Sequence, residues 1–250
     1  MIRSALRLIP ISFALVITAF PAARAVEPAA QAPSDPSRII AIDVLLEPSA
    51  EMARFAEAAN KGVRRDYPAG YTLGANHAPH ISLVHRYVRA GDLPQLEAKL
   101  AALLAADNPL LFQLTAVGYE HSQWEGLALM TIAIERSVQL NRVHAKIAEA
   151  VEPFSVLTGT ADAFAVSREL PKIDASIVDY VKNFIPNASG KNYKPHITIG
   201  LAHEFIAKDL EAIRFPHRTF RPGAVAIYQL GNFGTAQKKL WTWKPGSPKP

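Results

Sequence analysis

Two tetrapeptides, Pro79-His80-Ile81-Ser82 and Pro195-His196-Ile197-Thr198, hold the side chains best suited to chemistry in this chain. An imidazole titrates near pH 6.5 when unperturbed, so one histidine can take a proton near neutrality while a second, protonated, gives one up. A hydroxyl beside each imidazole can donate to phosphate oxygens whose charge grows in a transition state. On a regular strand, residues two apart share a face, roughly 6.5–7 Å from one another. That spacing predicts Ser82 beside His80 and Thr198 beside His196, with Ile81, Leu83, Ile197 and Ile199 turned to a core. Proline before each histidine removes a ladder donor and favours the start of a strand. His80 and His196 are therefore the candidate catalytic acid–base pair. Ser82 and Thr198 are candidate substrate-binding groups that position a phosphate and do not attack it. Two histidines that handle both protons need no metal and no cofactor.

The other candidates read as ordinary structure. A strand-end histidine is commonly bonded to a backbone carbonyl, and only the matched pair argues for a site. His85 and His203 follow the pair by five and seven residues, so their parity sends them to the opposite strand face. His77 falls in the approach to the first strand. A metal site from His77, His80 and His85 fits neither an i,i+4 helical pair nor a regular strand face. His144 reads as a surface or packing residue of a helix. Arg86 shares the parity of His80 but lies about 20 Å along the strand, which makes it a solvated charge, and Lys194 reads as a surface lysine. Gly200 shares the Thr198 face and either leaves room for a ligand or marks a bulge. Tyr119, Trp124 and Phe233 lie near hairpin turns and could stack on a base or simply pack.

These residues need elements to place them. Arg38 to Leu46 reads as a buried strand, and Pro48-Ser49 opens a helix to about Arg65. Pro79 to Val88 is a strand carrying the first motif, followed by a helix from Leu93 to Ala106. Leu111–Tyr119 and Leu127–Ile134 flank a polar, Gly-containing loop as a hairpin, and Ser137 to Val151 is a helix. Phe154 to Asn192 is less regular, with a helix from about Ala175 to Phe184 and a polar loop from Pro186. Tyr193 to Ala202 is a strand carrying the second motif, Glu204 to Arg214 a helix, and Ala224–Leu230 with Lys239–Lys244 a closing hairpin.

Each half thus repeats a motif strand, a helix and a hairpin, and Phe112–Tyr119 aligns loosely with Phe220–Ile227. The expected fold class is α+β: a bilobal duplicated unit, two antiparallel sheets facing across a cleft with helices outside. No Gly-x-Gly-x-x-Gly follows a strand, which excludes a dinucleotide fold.

The N-terminus reads as an address. Residues 1–25 combine Arg3 and Arg7, an apolar run from Leu8 to Phe20, and Ala23-Arg24-Ala25 before a cleavage point. The run is shorter than the roughly 20 residues of a membrane crossing, so a removable signal peptide and a periplasmic or secreted protein are expected. Residues 26–37 read as a flexible linker, 38–244 as the bilobal domain and 245–250 as a tail. Removing three arginines takes the formal net charge from +5 to +2. That modest charge argues against a stable nucleic-acid complex; a monomer without membrane attachment is expected after cleavage.

His-Ile-Ser-Leu and His-Ile-Thr-Ile-Gly resemble the paired His-x-(Ser/Thr) motifs of the two-histidine (2H) phosphoesterase superfamily. That group includes the RNA 2′,3′-cyclic phosphodiesterases, also called 2′-5′ RNA ligase-like proteins. The motifs stand 116 residues apart, and the resemblance extends from about Ile39 to Trp243. It implies a bilobal fold, opening of 2′,3′-cyclic phosphates of nucleotides or RNA ends to 2′-phosphomonoesters, His80 and His196 as acid and base, and Ser82 and Thr198 on the phosphate. The two motifs do not distinguish acid from base. A non-catalytic nucleotide- or phosphate-binding protein of the same fold is the alternative, and a metal-dependent hydrolase built around His77 is a third reading.

Overall fold

The apolar runs become two antiparallel sheets in the computed structural model, which describes residues 35–246. The expected signal segment, most of the linker and the last four residues lie outside the described residues. In chain order the elements are β1 (Ile39–Glu47), α1 (Ala50–Asp66), β2 (Ile81–Arg89), α2 (Leu93–Asp107), β3 (Leu114–Trp124), β4 (Leu127–Ile134) and α3 (Val138–Val151). They continue with β5 (Ser155–Val156), α4 (Ala175–Lys182), α5 (Phe184–Ala188), β6 (His196–Ala202), α6 (Glu204–Ala212), β7 (Arg218–Phe220), β8 (Ala224–Leu230) and β9 (Ala236–Trp243). One sheet runs β5-β2-β1-β8-β9 and the other β6-β4-β3-β7. This is an α+β fold of two antiparallel sheets.

Local chemistry sets the element ends. Ser49 caps α1 by accepting from the Met52 amide at 3.2 Å, and Ser137 caps α3 by accepting from Leu140 at 3.1 Å. The polar stretch after Tyr119, read as loop, instead continues β3 to Trp124. Glu125 and Gly126 then turn the chain with φ of 50° and 82°, the two-residue turn whose twist suits a hairpin. Its polar residues suit a strand because they border an open cleft and not a core.

The two halves are interleaved. Strand β2 shares its sheet with β8 and β9, the hairpin that follows the second motif, whereas β6 shares its sheet with β3 and β4, the hairpin that follows the first. Each half therefore completes the other's sheet. One core results: Ile40, Ile42, Val44 and Leu46 of β1 join Met130 and Ile132 of β4, Ile197 and Ile199 of β6, and the apolar stripes of α1, α2 and α3. Among the described residues no helix is long and apolar enough to cross a membrane.

A β-bulge follows each motif histidine by three residues. Leu45 pairs with Ser82 but Val44 with Val84, so Leu83 is the extra residue. Thr131 pairs with Thr198 but Met130 with Gly200, so Ile199 is its counterpart. A bulge leaves a backbone group without a ladder partner, and in each half a side chain from a helix supplies one. His144 of α3 donates from Nδ1 to the Leu83 carbonyl at 2.7 Å, and Asn60 of α1 donates to the Ile199 carbonyl at 2.9 Å.

Gly200 has φ of 122°, and a Cβ there would meet Asn60 Nδ2 at 3.2 Å. The space it leaves is thus filled by the Asn60 carboxamide and not by a ligand. Gly200→Ala is expected to lower unfolding free energy by about 1–3 kcal/mol from backbone strain alone, measurable as a shift of the urea midpoint. An unchanged midpoint would mean that the strand relaxes without cost.

Candidate active site

The faces of the two sheets that turn away from the core border a cleft of about 630 Å³. His80, Ser82, His196 and Thr198 all line it. His80 Nδ1 lies 2.7 Å from the Ala78 carbonyl, and His196 Nδ1 lies 2.7 Å from the Lys194 carbonyl. A carbonyl can only accept, which assigns a proton to each Nδ1 and leaves each Nε2 for proton exchange. The same i−2 contact in both halves is a local consequence of the approach to each strand, where the proline keeps the chain extended.

The surroundings of the two imidazoles differ. Asp43 of β1 is fully buried, with Oδ2 3.5 Å from His80 Nε2 and 3.2 Å from His85 Nε2. Ser82 donates its hydroxyl proton to the same oxygen at 2.7 Å, and His85 Nε2 stands 3.0 Å from Ser82 Oγ. His85 Nδ1 is buried without a partner among the described residues. A bare lone pair is cheaper to bury there than an unpaired N–H, so the proton belongs on Nε2, where it is donated to Ser82 and Asp43. Thr198 Oγ1 has no such partner among the described residues and faces the cleft with a free proton.

Burial holds both motif imidazoles below their ordinary range. For His80 the Asp43 carboxylate is the strongest opposing influence, followed by the Ala78 carbonyl. For His196 burial is opposed mainly by the Lys194 carbonyl, and His80 and His85 push it further down.

The walls come from segments that sequence patterning resolves poorly. Tyr180 and Phe184, from the irregular stretch after β5, enclose His85: Phe184 stacks on its ring at 4.7 Å and Tyr180 meets it edge-on at 5.6 Å. Trp124 and Phe233 line the cleft, whereas Tyr119 packs on Phe215 at 5.0 Å and does not line it. Phe233 adopts φ of 57° and ψ of 18°, a strained conformation for a bulky residue. Ser176 donates to Glu125 at 2.6 Å, tying the β3–β4 turn to the start of α4.

Two expectations, for His85 and Arg86, are corrected here. His85 is not on the opposite face: the Leu83 bulge shifts parity by one and brings it beside Ser82. The same shift turns Arg86 away from His80 to pair with Glu152 at 3.3 Å, so it is not a solvated charge. His144 is buried on α3, its ring stacked on Tyr193 at 3.9 Å, and Tyr193 donates to the Ser82 carbonyl at 3.1 Å. His77 packs in its own loop against Tyr71 and the Thr72 carbonyl. Among the described residues no three His, Cys, Asp or Glu side chains are arranged to hold a metal ion. Sequence reasoning missed Asp43 altogether, although a lone carboxylate inside the run Ile-Ile-Ala-Ile-Asp-Val-Leu-Leu is itself a signal, since a buried charge needs partners.

No curated protein sequence matches the chain at a significant level. Among solved structures, TT0787 of Thermus thermophilus aligns with 17% identity over 82% of this chain and 97% of that one, at a TM-score of 0.48. E. coli LigT complexed with 3′-AMP aligns with 14% identity over 82% and 98%, at 0.43. Its apo form gives 15% identity over 83% and 98%, at 0.40. The sequence profile of the 2′-5′ RNA ligase superfamily matches residues 47–231, most of the described chain, and the protein belongs to that superfamily.

Proposed function

We propose that this protein is a metal-independent phosphodiesterase that opens 2′,3′-cyclic phosphates of nucleotides or RNA ends to 2′-phosphomonoesters. Membership of the superfamily supports an enzyme of the phosphodiesterase or RNA-ligase type. The finer reading rests on one observation: two imidazoles line the same cleft, each with Nδ1 pinned to a carbonyl and Nε2 left to exchange a proton. With a cyclic phosphate between them, water attacks phosphorus in line with the departing 3′ oxygen. One Nε2 takes the water proton while the other, protonated, delivers its own to that oxygen. Thr198 donates to a non-bridging oxygen, and Lys191 and Lys194 at the rim favour an anion. Trp124, Tyr180 and Phe233 give the base apolar walls.

The test is turnover of 2′,3′-cyclic AMP in EDTA, with the product identified by chromatography. Adenosine 2′-phosphate is the expected product. Ligand-dependent thermal stabilisation without turnover would replace this reading with the binding protein, and loss of turnover on chelation would replace it with the metal-dependent one.

The pH profile follows from the burial of both histidines. In the free enzyme the productive form needs one imidazole neutral and the other protonated. Its population peaks between the two pKa values, and both lie below the ordinary 6.5. A bell-shaped kcat/KM profile with its maximum on the acid side of pH 6.5 is expected. A bound anionic phosphate raises both values, so the kcat maximum should lie at higher pH. A kcat/KM maximum above pH 7.5 would contradict this electrostatic picture.

A further inference from the structure

The halves of the cleft differ at one pair of positions. Asp43 of β1 pairs with His85 of β2, five residues after the first motif histidine. At the matching place in the other sheet, Leu129 of β4 pairs with Leu201 of β6, five residues after His196. The bulged frame is thus built in one sheet with two leucines, while the other buries a carboxylate and an imidazole. Burying a carboxylate is costly unless charge and hydrogen bonds compensate, and an apolar pair would often be as stable. Packing therefore does not explain Asp43.

Its contacts point to proton placement. Asp43 Oδ2 lies 3.5 Å from His80 Nε2, and His80 Nδ1 is already held by the Ala78 carbonyl. The proton that the carboxylate attracts is accordingly the one on Nε2, the nitrogen left for exchange. Ser82 gives its hydroxyl proton to Asp43 and accepts from His85, so it braces the carboxylate and leaves Thr198 as the hydroxyl free to donate to phosphate. Other titratable groups around His80 and Asp43 are Glu47 on β1, His85 on β2, Tyr193 in the approach to β6, His196 at its start, and Tyr180 on α4. Glu47 is itself occupied by Tyr228 of β8 at 2.7 Å and Lys239 of β9 at 2.6 Å. Among the described residues Asp43 is the carboxylate in contact with His80 Nε2.

We infer that Asp43 is a positioning residue that keeps the transferable proton on His80, making His80 the acid and His196 the base. The inference rests on the phosphodiesterase reading above. The step is then directional: a water oxygen bonds to phosphorus as its proton passes to His196 Nε2, the bond from phosphorus to the 3′ oxygen breaks, and the Nε2 proton of His80 completes the 3′ hydroxyl. Solvent restores both protonation states.

Two measurements test it. The first is an imidazole NMR titration of the intact protein, with signals assigned by His80→Ala and His196→Ala. His80 is expected to titrate at higher pH than His196, and Asp43→Asn should close the gap. The reverse order in the unmodified protein would overturn the inference, whether or not Asp43→Asn folds. This readout needs no turnover.

The second compares 2′,3′-cyclic AMP with a nucleoside p-nitrophenyl phosphodiester, whose leaving group departs without a proton. His80→Ala and Asp43→Asn should lose about 10²-fold or more on the cyclic phosphate, and less than about 10-fold on the activated ester because the acid is bypassed there. His196→Ala should lose heavily on both. Rescue of His196→Ala by the activated ester would reverse the assignment, and equal loss in all three would reduce Asp43 to a structural role. If the unmodified protein cleaves neither substrate, the phosphodiesterase reading fails and the titration order alone judges the proton placement.

Discussion

Alanine at either His80 or His196 is expected to lower kcat for cyclic-phosphate opening by about 10²–10⁴, the usual contribution of a positioned proton donor or acceptor. KM should change far less, because Thr198, the rim lysines and the aromatic walls stay in place. The double variant should be little worse than the poorer single one, since once either proton transfer is lost the other has no step to assist. The fold should survive. Each imidazole makes one hydrogen bond, from Nδ1 to a carbonyl two residues earlier in its own strand approach, and the Asp43 carboxylate beside His80 keeps Ser82 and His85 as partners when that imidazole is removed. Circular dichroism and a thermal midpoint within a few degrees of the parent would establish that. Full activity in either single variant would end the paired-histidine mechanism.

The largest stability effect should come from a residue outside the cleft. Asn60 is fully buried on α1 and makes three bonds. Its Nδ2 donates to the Tyr71 carbonyl at 3.1 Å and the Ile199 carbonyl at 2.9 Å, and its Oδ1 accepts from the Leu73 amide at 2.9 Å. Leucine fills similar space but leaves two carbonyls and one N–H buried and unpaired. At about 1–3 kcal/mol per orphaned group, Asn60→Leu should destabilise the protein by at least about 3 kcal/mol, a large share of the ~5–15 kcal/mol that holds a typical domain. Urea unfolding measures this directly. Activity should also fall at temperatures where the variant stays folded, because the Ile199 bulge sets the direction of Thr198. A loss under about 1 kcal/mol would show that water or a shifted backbone satisfies these groups, and the account of the bulge would need revision.

Both expectations depend on features of different legibility. That His80, Ser82, His196 and Thr198 would line one cleft could be read from the amino-acid sequence alone. His80 and His196 were readable because a Pro-His-Ile-hydroxyl tetrapeptide occurring twice, each on an apolar strand followed by a helix, is a pattern that packing alone does not require. Strand periodicity likewise placed Ser82 and Thr198 beside them, and the cap residues Ser49 and Ser137 marked helix starts to within a residue. These are local properties, fixed by side-chain alternation and hydrogen bonding over a few residues.

The remaining determinants are non-local, and they emerge only when distant segments meet. Whether Leu83 and Ile199 bulge depends on the pairing of β1 with β2 and of β4 with β6, and on His144 and Asn60 arriving from helices elsewhere in the chain. One bulged residue reverses every later parity, which is why His85 joined the cleft and Arg86 left it. The exchange of hairpins between the sheets was equally invisible, since the repeat in sequence is the same whether each half closes on itself or completes its partner. So the sequence named two near-equivalent histidines, and only the folded chain, by placing Asp43 against one of them, made them unequal.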